Sequence, residues 1–296
     1  MKKLFFFVAF IFAMMPAILF TACDPDDSIM PEPEPAPETN TIPQPIDTLS
    51  LQDTAKPVVV PKMYNLTYHK VVAADSLVKY TTQVSVQKLE SDFKWLADNG
   101  YTAILPRDLL TIDTVQPKTV IITFDDGYYD NYLYMYPLLE KYGLKAEINV
   151  IVEWITEERK NGWLTWDECR EMSQSGLVEI GSHSCLLHNP SNGGSYILGG
   201  VNGVGREADE SDEDYIARIT NDLQRSKDVI KERVGIEPIA FAYPYGEGNA
   251  FINKYISELF AVTFLTHNGS YNPKNDLHLL PRNTITMSTQ LENILK

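Results

Sequence analysis

The stretch VIITFDDGYYDNY, Val120 to Tyr132, runs four apolar or β-branched residues into a phenylalanine, then two adjacent carboxylates, a glycine and three tyrosines. A short apolar run closed by a glycine reads as a buried strand. Asp125 and Asp126 at its end are like charges side by side, which repel unless something there uses them. Neighbouring residues of a strand point to opposite faces. Both carboxylates reach one pocket only if the backbone turns, and Gly127 is placed to allow that. A plainer alternative is a helix-capping Asp pair beside a glycine turn.

The surroundings set the fold class. Ser85 precedes VQKLESDFKWLADNG, where Leu89, Phe93 and Leu96 are spaced as on a helix that stops at Gly100. TAIL reads as a strand. YLYMYPLLEKYG is a helix closed by Gly143, with Pro137 either early in it or at a kink. AEINVIV is a strand, and Thr165 with Glu168 forms a capping box for WDECREMSQSG. LVEIGSH is again a strand, and Ser211 caps the helix DEDYIARITNDLQRSKDVIKERVG. PIAFAYP, FINKYISELF, AVTFLT and LHLLPR complete the alternation. Strands alternating with helices imply a parallel sheet, and this many units predict a closed or nearly closed barrel. The segment NPSNGGSYILGGVNGVGREADES, residues 189–211, has no periodicity and reads as a long functional or mobile loop.

A chain of 296 residues with 44% hydrophobic content can bury a sizeable core. Its net charge of −15 argues against nucleic acid or anionic lipid head groups as partners. Met1-Lys2-Lys3, an apolar run and Phe20-Thr21-Ala22-Cys23 have the layout of a secretory signal, and the ending resembles a bacterial lipoprotein box. An uncleaved membrane anchor is the alternative. The expected organisation is a signal peptide over 1–23, a Pro- and acid-rich linker over 24–60, and a catalytic domain over 61–296. At about 3.1 Å per residue the extended linker reaches roughly 100 Å from a membrane contacted through a lipidated Cys23. The expected location is the cell envelope, on the periplasmic or cell-surface side. Cys169 and Cys185 are expected to be free and buried, with one disulfide as the alternative.

Of five histidines, His183 and His188 fall together in LVEIGSHSCLLHN, just beyond a strand. A lone histidine is usually a satisfied polar group. Two imidazoles and a carboxylate with open positions form a recurrent catalytic metal site. A metal would also explain the acid pair, one Asp serving as ligand and the other as base.

TFDDG, SHSCLLH, FAYPYG and LPR, in this order, resemble the motifs of NodB-like polysaccharide deacetylases, carbohydrate esterase family 4. The resemblance spans nearly everything after about Lys62. It implies an irregular (β/α) barrel of about seven strands. It also implies Asp125 as general base, Asp126, His183 and His188 as ligands of a divalent metal such as zinc, and the Tyr243 backbone N–H as oxyanion donor. Three departures stand out. Four residues separate the histidines where three are commonest, FAYPYG lacks an opening arginine, and the late acid histidine has no clear counterpart. These fit a subgroup similar to poly-N-acetylglucosamine deacetylases, whose acid histidine lies early. MYNLTYHKV then makes His69 the candidate acid, with His278 in LHLLPR as competitor. Arg282 either holds Asp125 in place of the missing arginine or serves an ordinary ion pair. Tyr128, Tyr129, Tyr243 and Tyr245 are candidates to face sugar rings.

The implied reaction is metal-dependent removal of N-acetyl groups from a polysaccharide containing N-acetylglucosamine, by a monomer. The alternatives are an O-acetyl esterase acting on xylan-type polymers and a carbohydrate-binding lipoprotein with a degenerate site. A glycosidase would need carboxylates about 5–9 Å apart, and the histidines would have no role.

Overall fold

The computed structural model describes residues 62–159, 162–188, 203–246 and 248–295. The expected signal peptide, Cys23, the linker and residues 189–202 of the glycine-rich segment lie outside the described residues. The elements follow in the order β1 (Tyr64–Tyr68), β2 (Lys70–Val72), β3 (Gln83–Ser85), α1 (Val86–Asp98), β4 (Thr102–Ala103) and β5 (Thr119–Asp126). Next come α2 (Tyr136–Tyr142), β6 (Ala146–Val150), α3 (Trp166–Gln174), β7 (Val178–Ser182) and α4 (Asp212–Val234). The chain ends with β8 (Ala240–Ala242), α5 (Ala250–Leu259), β9 (Val262–Phe264), β10 (Asn283–Thr284) and α6 (Leu291–Ile294).

Seven strands pair in the order β10-β1-β5-β6-β7-β8-β9, with β4 added to the start of β5, and every pairing among them is parallel. One segment brings the two ends of this sheet together. Leu280 bridges Phe264 of β9, and three residues later Asn283 and Thr284 pair with Leu66 and Thr67 of β1. The result is the irregular parallel barrel expected. LHLLPR itself is not the strand anticipated there. Leu279 has a left-handed φ of 57°, Pro281 has no N–H to donate, and the regular pairing begins only at Asn283.

Local signals act as the residue types dictate. Ser85 Oγ accepts the Lys88 N–H at 3.1 Å, and Thr165 and Glu168 exchange both capping-box bonds. Ser211 Oγ accepts the Asp214 N–H. Pro137 sits in the first turn of α2, after a wider π-type turn at Asn131–Met135. Cys169 and Cys185 are free and buried.

The strand alternation sorts side chains into two environments. Leu66, Tyr68, Ile122, Phe124, Ile148, Val150 and Ile180 form one cluster with Leu89, Phe93 and Leu96 of α1 and Leu139 of α2. The opposite faces carry Thr67, Thr123, Asp125, Glu147, Asn149 and Glu179, all buried. The barrel interior is therefore apolar at one level, where Ile121, Ala240, Ala242, Val262 and Phe264 pack together, and polar elsewhere. Among the described residues no helix is long and apolar enough to cross a membrane.

Candidate active site

Strand β5 brings both carboxylates to its end. Asp125 follows the strand alternation inward from Thr123. Asp126 would point away, but its own φ is +78°. The turn thus begins one residue earlier than Gly127, within the acid pair. A non-glycine residue there costs roughly 1–3 kcal/mol, and Asp is among the residues that tolerate it best. Gly127 continues the turn at φ +85°, where a Cβ would lie 3.0 Å from Ile155 Cδ1.

Asp125 is almost wholly buried and held on both oxygens. Arg282, fully buried, donates Nη1–H to Oδ1 and Nη2–H to Oδ2, each at 2.7 Å. Asn149 of β6 adds Nδ2–H to Oδ1 at 2.9 Å. Burial is the largest influence on the Asp125 pKa and raises it, but the charge and hydrogen bonds of Arg282, together with His183 and His69, outweigh it and hold the carboxyl well below the usual range. Arg282 is fixed in turn by the Leu265 carbonyl, which accepts its Nε–H at 2.9 Å, and by Thr123 and Thr266.

His183 leaves the end of β7 with Nδ1 2.8 Å from the Ala242 carbonyl. That bond keeps the proton on Nδ1 and turns the Nε2 lone pair inward. Burial pushes its pKa down to about 3, so the ring is neutral. His188 arrives through a loop held from α4. Asp222 accepts the Cys185 N–H on Oδ1 at 2.9 Å and the Leu186 N–H on Oδ2 at 2.8 Å. Nε2 of His183 and Nε2 of His188 lie 3.6 and 3.7 Å from Asp126 Oδ1. Asp126 Oδ1 is buried with no hydrogen-bond partner. Burial, with Asp125 adding to it and His69 opposing, pushes the Asp126 pKa up to about 6. These spacings exceed hydrogen-bond length but are close to the roughly 3.4 Å between donors around a tetrahedral ion with bonds of about 2.1 Å. The residues fit a divalent cation.

His69, just past β1, places Nε2 3.9 Å from Asp125 Oδ2, and its buried Nδ1 has no partner. With Asp125, Asp126, His183, His188 and Tyr245 it lines a cavity of about 320 Å³. His278 does not line that cavity; its ring nitrogens lie 2.5 Å from Asp276 Oδ1 and 3.0 Å from the Phe260 carbonyl. Tyr243, the expected oxyanion donor, lines the same cavity. Its backbone N–H donates to the Phe264 carbonyl at 3.0 Å, continuing the β8–β9 pairing, and its hydroxyl donates to Asn253. That amide is thus engaged in the sheet.

The model of the family described as polysaccharide deacetylase matches residues 113–262. The chain belongs to the polysaccharide deacetylase family. It is similar to YxkH of Bacillus subtilis (strain 168), 39% identical over 142 residues, 47% of either chain. It is also similar to poly-beta-1,6-N-acetyl-D-glucosamine N-deacetylase of Escherichia coli (strain K12), 26% identical over 231 residues, 71% of this chain and 34% of that one. The chain thus spans less than half the length of these two curated relatives. Among solved structures, a de-N-acetylase from Aggregatibacter actinomycetemcomitans superposes with a TM-score of 0.68 at 29% identity, covering 79% of this chain and 100% of that one.

Some contributors to this site, Asp222, Trp154 and Trp163 among them, gave no clear sign in the sequence. Asp222 is one acid among many on a long polar helix. Trp154, Trp163 and Tyr128 stack in a row, with centroids 4.5 and 4.6 Å apart, and Trp154 meets the edge of His188. Tyr245, a candidate to face sugar, stacks on His188 with ring centroids 4.4 Å apart. The usable signal was density: three of the four tryptophans fall between 154 and 166.

Proposed function

We propose that this chain is a metal-dependent deacetylase that hydrolyses N-acetyl groups on a polysaccharide containing N-acetylglucosamine, in the cell envelope. The observation that carries this reading is one cavity containing both an Asp125 ionised by Arg282 and the Asp126, His183 and His188 cluster. The name of the Escherichia coli relative supports an N-acetylated glucosamine polymer as substrate. The apolar run ending at Cys23 supports an exported, lipid-anchored protein.

Asp126, His183 and His188 would hold a divalent ion, and two imidazoles with one carboxylate suit zinc. When bound, such an ion supplies a Lewis acid that polarises the acetyl carbonyl and acidifies water. Asp125 accepts the proton from the attacking water, and Arg282 and Asn149 fix both its oxygens in place. His69, which lines the same cavity beside Asp125, donates a proton to the departing amine nitrogen. The stacked aromatic row beside His188 offers flat faces for sugar rings.

The test is acetate release from N-acetylglucosamine oligomers and from acetylated xylan, with metal-loaded and chelated protein. Asp125→Asn should abolish turnover with metal content unchanged; full activity in that variant would overturn the assignment. His69→Ala should lower kcat by about 10²–10⁴-fold without loss of metal. If His278→Ala does so instead, the acid is misplaced.

A further inference from the structure

A second concavity, of about 550 Å³, lies on the flank of the barrel between the start of β1, residues 268–270 and the carboxyl-terminal segment 288–294. Thr284 belongs to the walls of both this groove and the catalytic cavity. No lining side chain carries a charge, on a chain in which 22% of residues are charged. The polar lining is amide and hydroxyl, and Tyr64 and Ile294 supply the apolar surface.

The wall between β10 and the 268–270 loop is rigidly made. Asn283 donates to the Gly269 and Asn65 carbonyls at 2.8 and 3.1 Å and accepts the Gly269 N–H at 3.0 Å. The remaining amides are of another kind. The side chains of Asn268, Gln290 and Asn293 are exposed, with no hydrogen-bond partner among the described residues. Each amide offers donors and acceptors together, the match for sugar hydroxyls, which also do both. Aromatic and aliphatic surface beside them suits the apolar face of a pyranose ring. With no carboxylate in the groove, the ammonium of a deacetylated unit would find no counter-charge there.

We infer that this groove is a saccharide subsite, holding a neutral, still-acetylated stretch of the same polymer whose target unit occupies the adjoining cavity. The inference rests on the deacetylase reading for the identity of the polymer. Its test is calorimetric binding of β-1,6-linked N-acetylglucosamine oligomers, from dimer to hexamer, to the hydrolysis-deficient Asp125→Asn protein. Hexamer should bind more tightly than dimer. Adding Asn268→Ala, Gln290→Ala and Asn293→Ala should weaken hexamer about tenfold, as expected for losing two or three ordinary hydrogen bonds, and leave dimer unchanged. The same three substitutions in the active protein should raise KM for hexamer and leave kcat on dimer unaltered.

Equal hexamer affinity with and without the three amides would overturn the subsite, as would equal affinity of hexamer and its fully deacetylated counterpart. Absence of acetate release from every oligomer by the metal-loaded, unsubstituted protein would overturn the deacetylase reading instead. The binding comparison still decides the groove in that case.

Discussion

Arg282→Met tests the electrostatic core of the site. In the parent, a fully buried guanidinium and a buried carboxylate exchange two bonds of 2.7 Å. Removing one partner of such a pair leaves an uncompensated buried charge and costs about 3–5 kcal/mol. For a domain of this size that corresponds to a fall of roughly 6–20 °C in Tm. Arg282→Lys keeps the charge but loses the two-pronged geometry, so it should fall between the two. Asp125→Asn combined with Arg282→Met removes both charges and should be more stable than Arg282→Met alone.

The pH dependence gives the sharper test. The folded-state pKa of Asp125 lies below its unfolded value of about 3.9. Its stabilising contribution is therefore present above that unfolded value and lost only as pH falls through the depressed folded value. In Arg282→Met, burial is opposed only by the neighbouring imidazoles and the Asn149 bond, and the folded pKa should rise above the unfolded one. The sign then reverses, and the variant should lose stability relative to the parent as pH rises from about 4 to 7. Urea melts across that window measure the difference directly. A loss below about 1 kcal/mol with an unchanged pH slope, or a double variant no more stable than Arg282→Met, would refute this account of Asp125.

Asp222→Ala should weaken metal retention by about 10–100-fold, the usual range for residues that orient ligands, because the Cys185 and Leu186 amides lose the acceptor that shapes the loop to His188. Competition with a chromogenic chelator reads it, and Asp222→Asn should recover part of the loss through its remaining carbonyl. Glu147 is fully buried with neither carboxyl oxygen partnered, and burial, reinforced by the nearby Glu179 charge, raises its pKa well above the ordinary value. A raised carboxyl pKa means stability falls as pH climbs past the unfolded value of about 4.3. Glu147→Gln cannot ionise, so its Tm advantage over the parent should widen between pH 5 and 8; parallel curves would show that Glu147 ionises normally.

Much of the site was readable because its chemistry is carried by unusual residues at strand ends. Adjacent aspartates and two of five histidines have few ordinary explanations, and both groups meet in one cavity. The Asp126 backbone twist was not readable, because no side-chain type announces a left-handed φ the way glycine does. Arg282 was ambiguous for another reason. Its meeting with Asp125 depends on the segment from Leu280 to Thr284 joining both ends of the sheet, a contact across 157 residues. The sheet bond of the Tyr243 amide was not readable either, since neighbouring backbone donors differ only in which of them the sheet consumes, and the register of β8 against β9 decides that.

The polar interior explains why these pieces depend on one another. Registered across β5, β6 and β7, Thr123, Glu147 and Glu179 form one level and Asp125, Asn149 and Gly181 the next. Gly181 is required at that upper level, since a Cβ would come within 2.6 Å of both Asn149 Oδ1 and Glu147 Oε1. Any larger residue would push Asn149 off Asp125 and crowd an acid that has no partner to move toward. The Asp125 carboxylate is thus supported from below by side chains that do not line the cavity themselves. Gly181→Ala should consequently disturb activity through Asn149 and Asp125 before it disturbs metal binding, because His183 and His188 are anchored separately, by Ala242 and Asp222. Metal affinity falling in step with activity in that variant would show that the two halves of the site are not independently supported.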